Sequence, residues 1–167
     1  NSTSTVALGA NAEINGNVEA ATTVALGADA KVVGNVTATT TIAIGADAKV
    51  KGDVEAVSTV ALGANGTVEG NVTAGTTVAL GADSSVTGNV LAGTTVALGA
   101  GSHVAGDVTS TDSTVTLGVN SYVMGNTLAA SSATLGEGAY TCGDVGAATA
   151  TLGAGSFVDG NMTAVTS

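Results

Sequence analysis

A near-copy of T-V-A-L-G-A-D-A-K-V-x-G-N-V-x-A-x-T returns about every eighteen residues along this chain, opening at Thr5, Thr23, Thr41, Thr59, Thr77, Thr95, Thr114, Ser132 and Thr149. A unit this short cannot bury its own apolar face, so its neighbours in sequence must do it, and the strict period predicts a solenoid. Composition points the same way. With no Pro, no Trp, 25 Gly and 2% aromatic residues the chain lacks the large side chains of a compact globular core, whereas stacked coils need only small ones.

Counting each coil from its opening Thr or Ser, apolar residues fall at positions two, four, eight, ten, fourteen and sixteen; in the second coil these are Val24, Leu26, Ala30, Val32, Val36 and Ala38. Pairs of inward residues separated by one outward residue describe three short strands per turn. The fold expected is therefore all-β: one single-stranded β-solenoid domain over residues 1–167, with about nine coils and a triangular cross-section. Leu8, Leu26, Ile44, Leu62, Leu80, Leu98, Leu117, Leu135 and Leu152 should stack in one column, each contributing roughly 1.5–3 kcal/mol when fully buried.

Glycine stands at positions five and twelve of every coil, from Gly9 to Gly153 and from Gly16 to Gly160, and is read as forming corners through its access to unusual backbone angles. Asn or Asp dominates positions seven and thirteen; Asn17, Asn35, Asp53, Asn71, Asn89, Asp107, Asn126, Asp144 and Asn161 are read as turn residues. This ladder lacks the G-G-x-G-x-D repeat of calcium-binding rolls, so no metal is assigned to it. The period slips only late, with one extra residue near Asp112 and Ser113 and one fewer in the eighth coil, where Thr127 and Thr141 also enter inward columns.

The charged residues avoid one strand altogether. All but Asp112 occupy positions six, seven, nine, eleven, thirteen or fifteen, so the strand at positions one to four carries no charge in any coil. Its outward residues are Thr5 and Ala7, Thr23 and Ala25, Thr41 and Ala43, Thr59 and Ala61, Thr77 and Ala79, Thr95 and Ala97, then Thr114 and Thr116, Ser132 and Thr134, Thr149 and Thr151. Coils about 4.8 Å apart and outward residues about 6.7 Å apart make these a rectangular mesh of hydroxyls and methyls, able to order water. β-propensity explains Thr in a strand but not the exclusion of charge, and an extended uncharged face marks a contact surface.

The coils Ser132 to Ala147 and Thr149 to Ala164, reading S-A-T-L-G-E-G-A-Y-T-C-G-D-V-G-A and T-A-T-L-G-A-G-S-F-V-D-G-N-M-T-A, resemble the last coils of the microbial ice-binding protein family. That resemblance implies a right-handed β-helix that binds ice through a flat face of Thr and small residues, here the eighteen residues just named, and a secreted or extracellular location. It covers the coil only, since the family's alongside helix and capping region have no counterpart here. The V-x-I-G-x-x-A-x-V-x-G-x-V-x-A coil pattern also resembles bactofilins, which implies a structural protein that polymerises end to end. A left-handed hexapeptide helix of acyltransferases is similar in pattern, so spacing alone leaves handedness open, and the first two resemblances favour the right-handed form.

Ice or ordered water is thus the first expected partner, and self-association through uncapped solenoid ends the alternative, because only Asn1 to Ser4 precede the first coil and Thr166 and Ser167 follow the last Thr163-Ala164-Val165 stretch. Asn1 is read as following a processing boundary. A formal net charge of -10 argues against nucleic acid, and no apolar stretch is long enough for a transmembrane helix. No enzyme activity, small-molecule substrate or cofactor is expected: the single histidine, His103, lies at outward position nine with no base partner or substrate loop. Tyr122, Tyr140 and Phe157 share that position in successive coils and should pack as a ladder. Cys142 is read as an exposed thiol, and the N-x-T sequons at Asn35, Asn65, Asn71 and Asn161 as relevant only in a eukaryotic secretory host.

Overall fold

A computed structural model describes residues 4–164; Asn1, Val165, Thr166 and Ser167, invoked above for the two ends, lie outside the described residues. The chain winds into nine coils and lays down three parallel sheets of nine strands each. In the second coil the three strands are Thr23–Leu26, Lys31–Val32 and Val36–Ala38. The faces they belong to are called first, second and third below. Like positions stack on like positions, as in Val24 beside Ile42 and Lys31 beside Lys49, so the sequence repeat is also the sheet register.

Alternation along each strand sends one set of side chains into the prism. Val24, Ile42, Val60, Val78 and Val96 are fully buried at position two, Val32, Val50, Val68, Val86 and Val104 at position ten, and Val36, Val54 and Val108 at position fourteen. Small residues fill the narrow corner at position eight. Where Ser replaces Ala there, its hydroxyl donates to the carbonyl three residues back, Ser84 to Gly81, Ser102 to Gly99 and Ser121 to Gly118, each at 2.8 Å. A buried hydroxyl satisfied in this way adds little cost to the core.

The corners differ in cause from the sequence expectation. The left-handed backbone falls at position seven, at Asn11, Asp29, Asp47, Asn65, Asp83 and Asn120 and at Gly101, Gly138 and Gly155. The glycines of positions five and twelve have no such conformation; they are required by close approach. A Cβ on Gly27 would lie 2.6 Å from the amide nitrogen of Ala10, and one on Gly52 would lie 2.7 Å from the carbonyl of Gly34. Coil must touch coil there, backbone against backbone.

Position thirteen lies at the corner between the second and third strands, as expected, and is also a ladder. Asn17 Oδ1 accepts the backbone N–H of Asn35 at 2.9 Å, Asn35 that of Asp53, Asp53 that of Asn71, and the series continues through Asp144 to Asn161. Only a short side chain ending in oxygen can do this, which is why Asn and Asp alternate freely there. Both slips of the period are absorbed at the corner between the third and first faces. At the insertion, Asp112 and Thr111 bind the carbonyl of Gly93, Ser113 binds the Ser110 hydroxyl, and Thr114 rejoins the register through Thr94.

Candidate functional surfaces

The first face brings the eighteen Thr, Ser and Ala residues into two in-register columns. Thr5 pairs with Thr23 and Ala7 with Ala25 at one end, Ser132 with Thr149 and Thr134 with Thr151 at the other. From Thr23 to Thr134 most are half-buried, Ala43 and Thr116 are exposed, and none of the described ones is buried. Two hydroxyl columns run side by side at its margin and differ in chemistry. At position eighteen, Thr40, Thr76 and Thr94 donate to the carbonyls of Thr22, Ser58 and Thr76 at 2.6–2.8 Å, and Thr22 binds Ser4 in the same way. At position one, the Thr59 hydroxyl meets Ser58 Oγ at 3.5 Å, while the hydroxyls of Thr23, Thr41, Thr77, Thr95, Thr114, Ser132 and Thr149 have no hydrogen-bond partner among the described residues. The first column is bonded into the fold; from Thr23 onward most hydroxyls of the second are not.

The second face is divided along the axis. Its first four coils hold the ion pairs Lys31–Glu13 at 2.9 Å and Lys49–Glu69 at 2.6 Å, and the Lys49 contact holds the Glu69 carboxyl below the usual carboxylate range. Its later coils carry the expected aromatic ladder, with one member the sequence reading left out. His103 stacks on Tyr122 at 5.2 Å and 4°, Tyr122 on Tyr140 at 5.0 Å and Tyr140 on Phe157 at 5.2 Å. The signal was present: His103 holds position nine in the coil before Tyr122 and pairs with it in register. Cys142 is half-buried rather than free-standing, because its Sγ lies 2.9 Å from the Tyr122 hydroxyl. That contact, with burial and nearby Asp159, raises the Tyr122 phenol above its ordinary value, and burial followed by Asp159 does the same for Tyr140.

The third face is shallowly grooved. Depressions of about 530, 330 and 310 Å³ follow one another along it, over the small residues of positions sixteen and seventeen. Val57 stands out at its margin, 67% exposed.

The last described coil changes the meaning of the inward columns. Leu152 and Met162 hold positions four and fourteen, occupied by buried residues in most interior coils, yet they are 42% and 46% exposed. Phe157 ends the aromatic ladder at 52% exposed. At the opposite edge Val6, Leu8 and Ile14 are half-buried.

Against known proteins, the chain matches the family model described as "Bactofilin: Polymer-forming cytoskeletal", over residues 6–97 and again over 25–121. The two overlapping matches, offset by about one coil, follow from the repeat. No curated protein and no solved structure matches the chain significantly.

Proposed function

Given that the chain belongs to the bactofilin family, a structural, polymer-forming cytoskeletal one, we propose that it is a non-enzymatic filament protein whose solenoids stack end to end. The observation that carries this is the match to a polymer-forming family over residues 6–97 and 25–121, in a chain whose nine strands per face stack in one unbroken register. Leu152 and Met162 continue columns that are buried in the interior coils, and among the described residues the strands Thr149–Leu152, Phe157–Val158 and Met162–Ala164 each pair on one side only. A second solenoid laid against this edge extends three sheets at once and covers the columns. Leu152→Arg places a charge in the contact; because Leu152 also pairs with Leu135 of the eighth coil, an unchanged circular dichroism spectrum is required of the variant. Electron microscopy and sedimentation should show filaments for the parent chain and short particles for the variant; filaments of equal length in both would overturn the reading.

A second reading rests on a different surface. The first face offers a flat, charge-free mesh whose position-one hydroxyls are largely unspent, the geometry expected of a surface that adsorbs to ice through ordered water. Replacing Thr41, Thr59 and Thr77 with Tyr should then abolish thermal hysteresis and recrystallisation inhibition in a chain whose circular dichroism is unchanged. Equal activity in parent and triple variant, or none in the parent, removes this reading.

A further inference from the structure

The second and third faces are divided along the axis at the same level. On the second face, Glu13, Lys31, Lys49, Lys51 and Glu69 occupy the first four coils, and these lysines are the chain's whole complement of Lys and Arg. The later coils present the His103-to-Phe157 stack, with exposed Met124 beside it. On the third face, Glu19 and Glu55 point outward in the first three coils. Exposed Leu91 and Leu128 take that position further on, and Gly146 leaves the depression of about 530 Å³ between Leu128 and Thr163.

We propose that a second copy of this chain packs beside the first with its axis parallel, the second face of one copy lying on the third face of the other. In that orientation Lys31 and Lys49, ion-paired on their own face with Glu13 and Glu69 respectively, and Lys51, which gives that region its surplus positive charge, meet Glu19 and Glu55, and the aromatic stack meets Leu128 and the hollow at Gly146. The antiparallel alternative sets Glu19 against Phe157 and the lysines against Leu128, and burying unpaired charge against apolar groups is costly. The acids left on the third face, Asp53, Asp107 and Asp144, lie along its margin with Oδ1 already taken by the backbone N–H groups of Asn71, Asn126 and Asn161. On the second face, Asp159 is the one further acid, in the last coil.

Size sets the strength. A face about 40 Å long and some 12 Å wide covers roughly 500 Å² per copy, less than the ~800 Å² of a standard stable interface. The contact is weak between single copies and accumulates along stacked ones, so it bundles filaments rather than making dimers of high affinity. It shares Phe157 and Thr163 with the last described coil but uses neither Leu152 nor Met162, so Leu152→Arg separates it from end-to-end stacking.

A charge exchange tests it, carried out on the full chain bearing Leu152→Arg so that lateral contact is read alone. At low salt and high concentration this chain should self-associate reversibly in sedimentation velocity, and high salt should disperse it. Lys31→Glu/Lys49→Glu and Glu19→Lys/Glu55→Lys each oppose like charges, and each should weaken association at least about tenfold. Mixing the two restores a complementary pair on both sides, so the mixture should associate like the parent. Orientation is read by a short bismaleimide linker: Leu128→Cys should couple to Cys142 of the neighbouring copy, and Glu19→Cys should not. A parent that stays monomeric, charge variants that associate as well as the parent, a mixture that fails to recover, or coupling through Glu19→Cys overturns the proposal. Filaments that grow long without bundling would overturn it while leaving end-to-end stacking intact, and lateral pairing without long filaments would do the reverse.

Discussion

At the residue scale the least regular feature is a polar pair in an apolar core. Thr127 at position fourteen and Thr141 at position ten are both fully buried, with hydroxyls 3.3 Å apart. Val fills those positions in most other coils, so the pair is a local exchange of packing for one hydrogen bond. Replacing either Thr alone with Val strands the other hydroxyl and should cost about 1–3 kcal/mol. Replacing both restores the regular column and should be neutral or stabilising; urea unfolding of the two single variants and the double gives the coupling directly. The aromatic ladder supplies a second residue-level effect. Because the folded chain holds the Tyr122 and Tyr140 protons more tightly than an ordinary phenol of pKa 10.0, their contribution is complete below that pH and is lost as pH rises through the raised values. Melting temperature should therefore fall above about pH 10, and Tyr122→Phe/Tyr140→Phe should flatten that alkaline limb.

At the scale of the coil, energy is carried between neighbours. Each coil meets the next through three strand pairs and a position-thirteen bond, and among the described residues no strand pairs beyond its adjacent coils. Removing residues 59–76, one whole coil, should therefore leave a folded solenoid with a proportionally smaller unfolding amplitude and denaturant dependence. Removing nine residues instead would put outward residues into the core and should abolish the cooperative transition. This modularity is also why so much was readable beforehand. Val24, Val32 and Val36 announce three inward columns by spacing alone, and the stacking of Thr5 on Thr23 follows from the period. What the sequence did not disclose was the reason for the glycines. Gly27 and Gly52 look like turn residues on paper, but the constraint is a backbone one coil away, eighteen residues back in sequence and in contact only once the coils are stacked. Nor could spacing tell the spent hydroxyls of Thr76 and Thr94 from the open one of Thr77, since all three are Thr in or beside a strand.

At the scale of the molecule, three faces of one prism carry three different chemistries. The first is uncharged, the second mixed in charge and then aromatic, the third acidic and then apolar, and the last described coil crosses all of them. The position-thirteen ladder adds something of another kind. Every one of its bonds runs from an acceptor in one coil to an N–H in the coil that comes later in the chain, from Asn17 to Asn35 onward. A chain emerging from its amino end thus finds, at each turn, an oxygen already set in place by the turn before. The stack has a direction in time as well as in space, and that direction is the one in which a polypeptide is made.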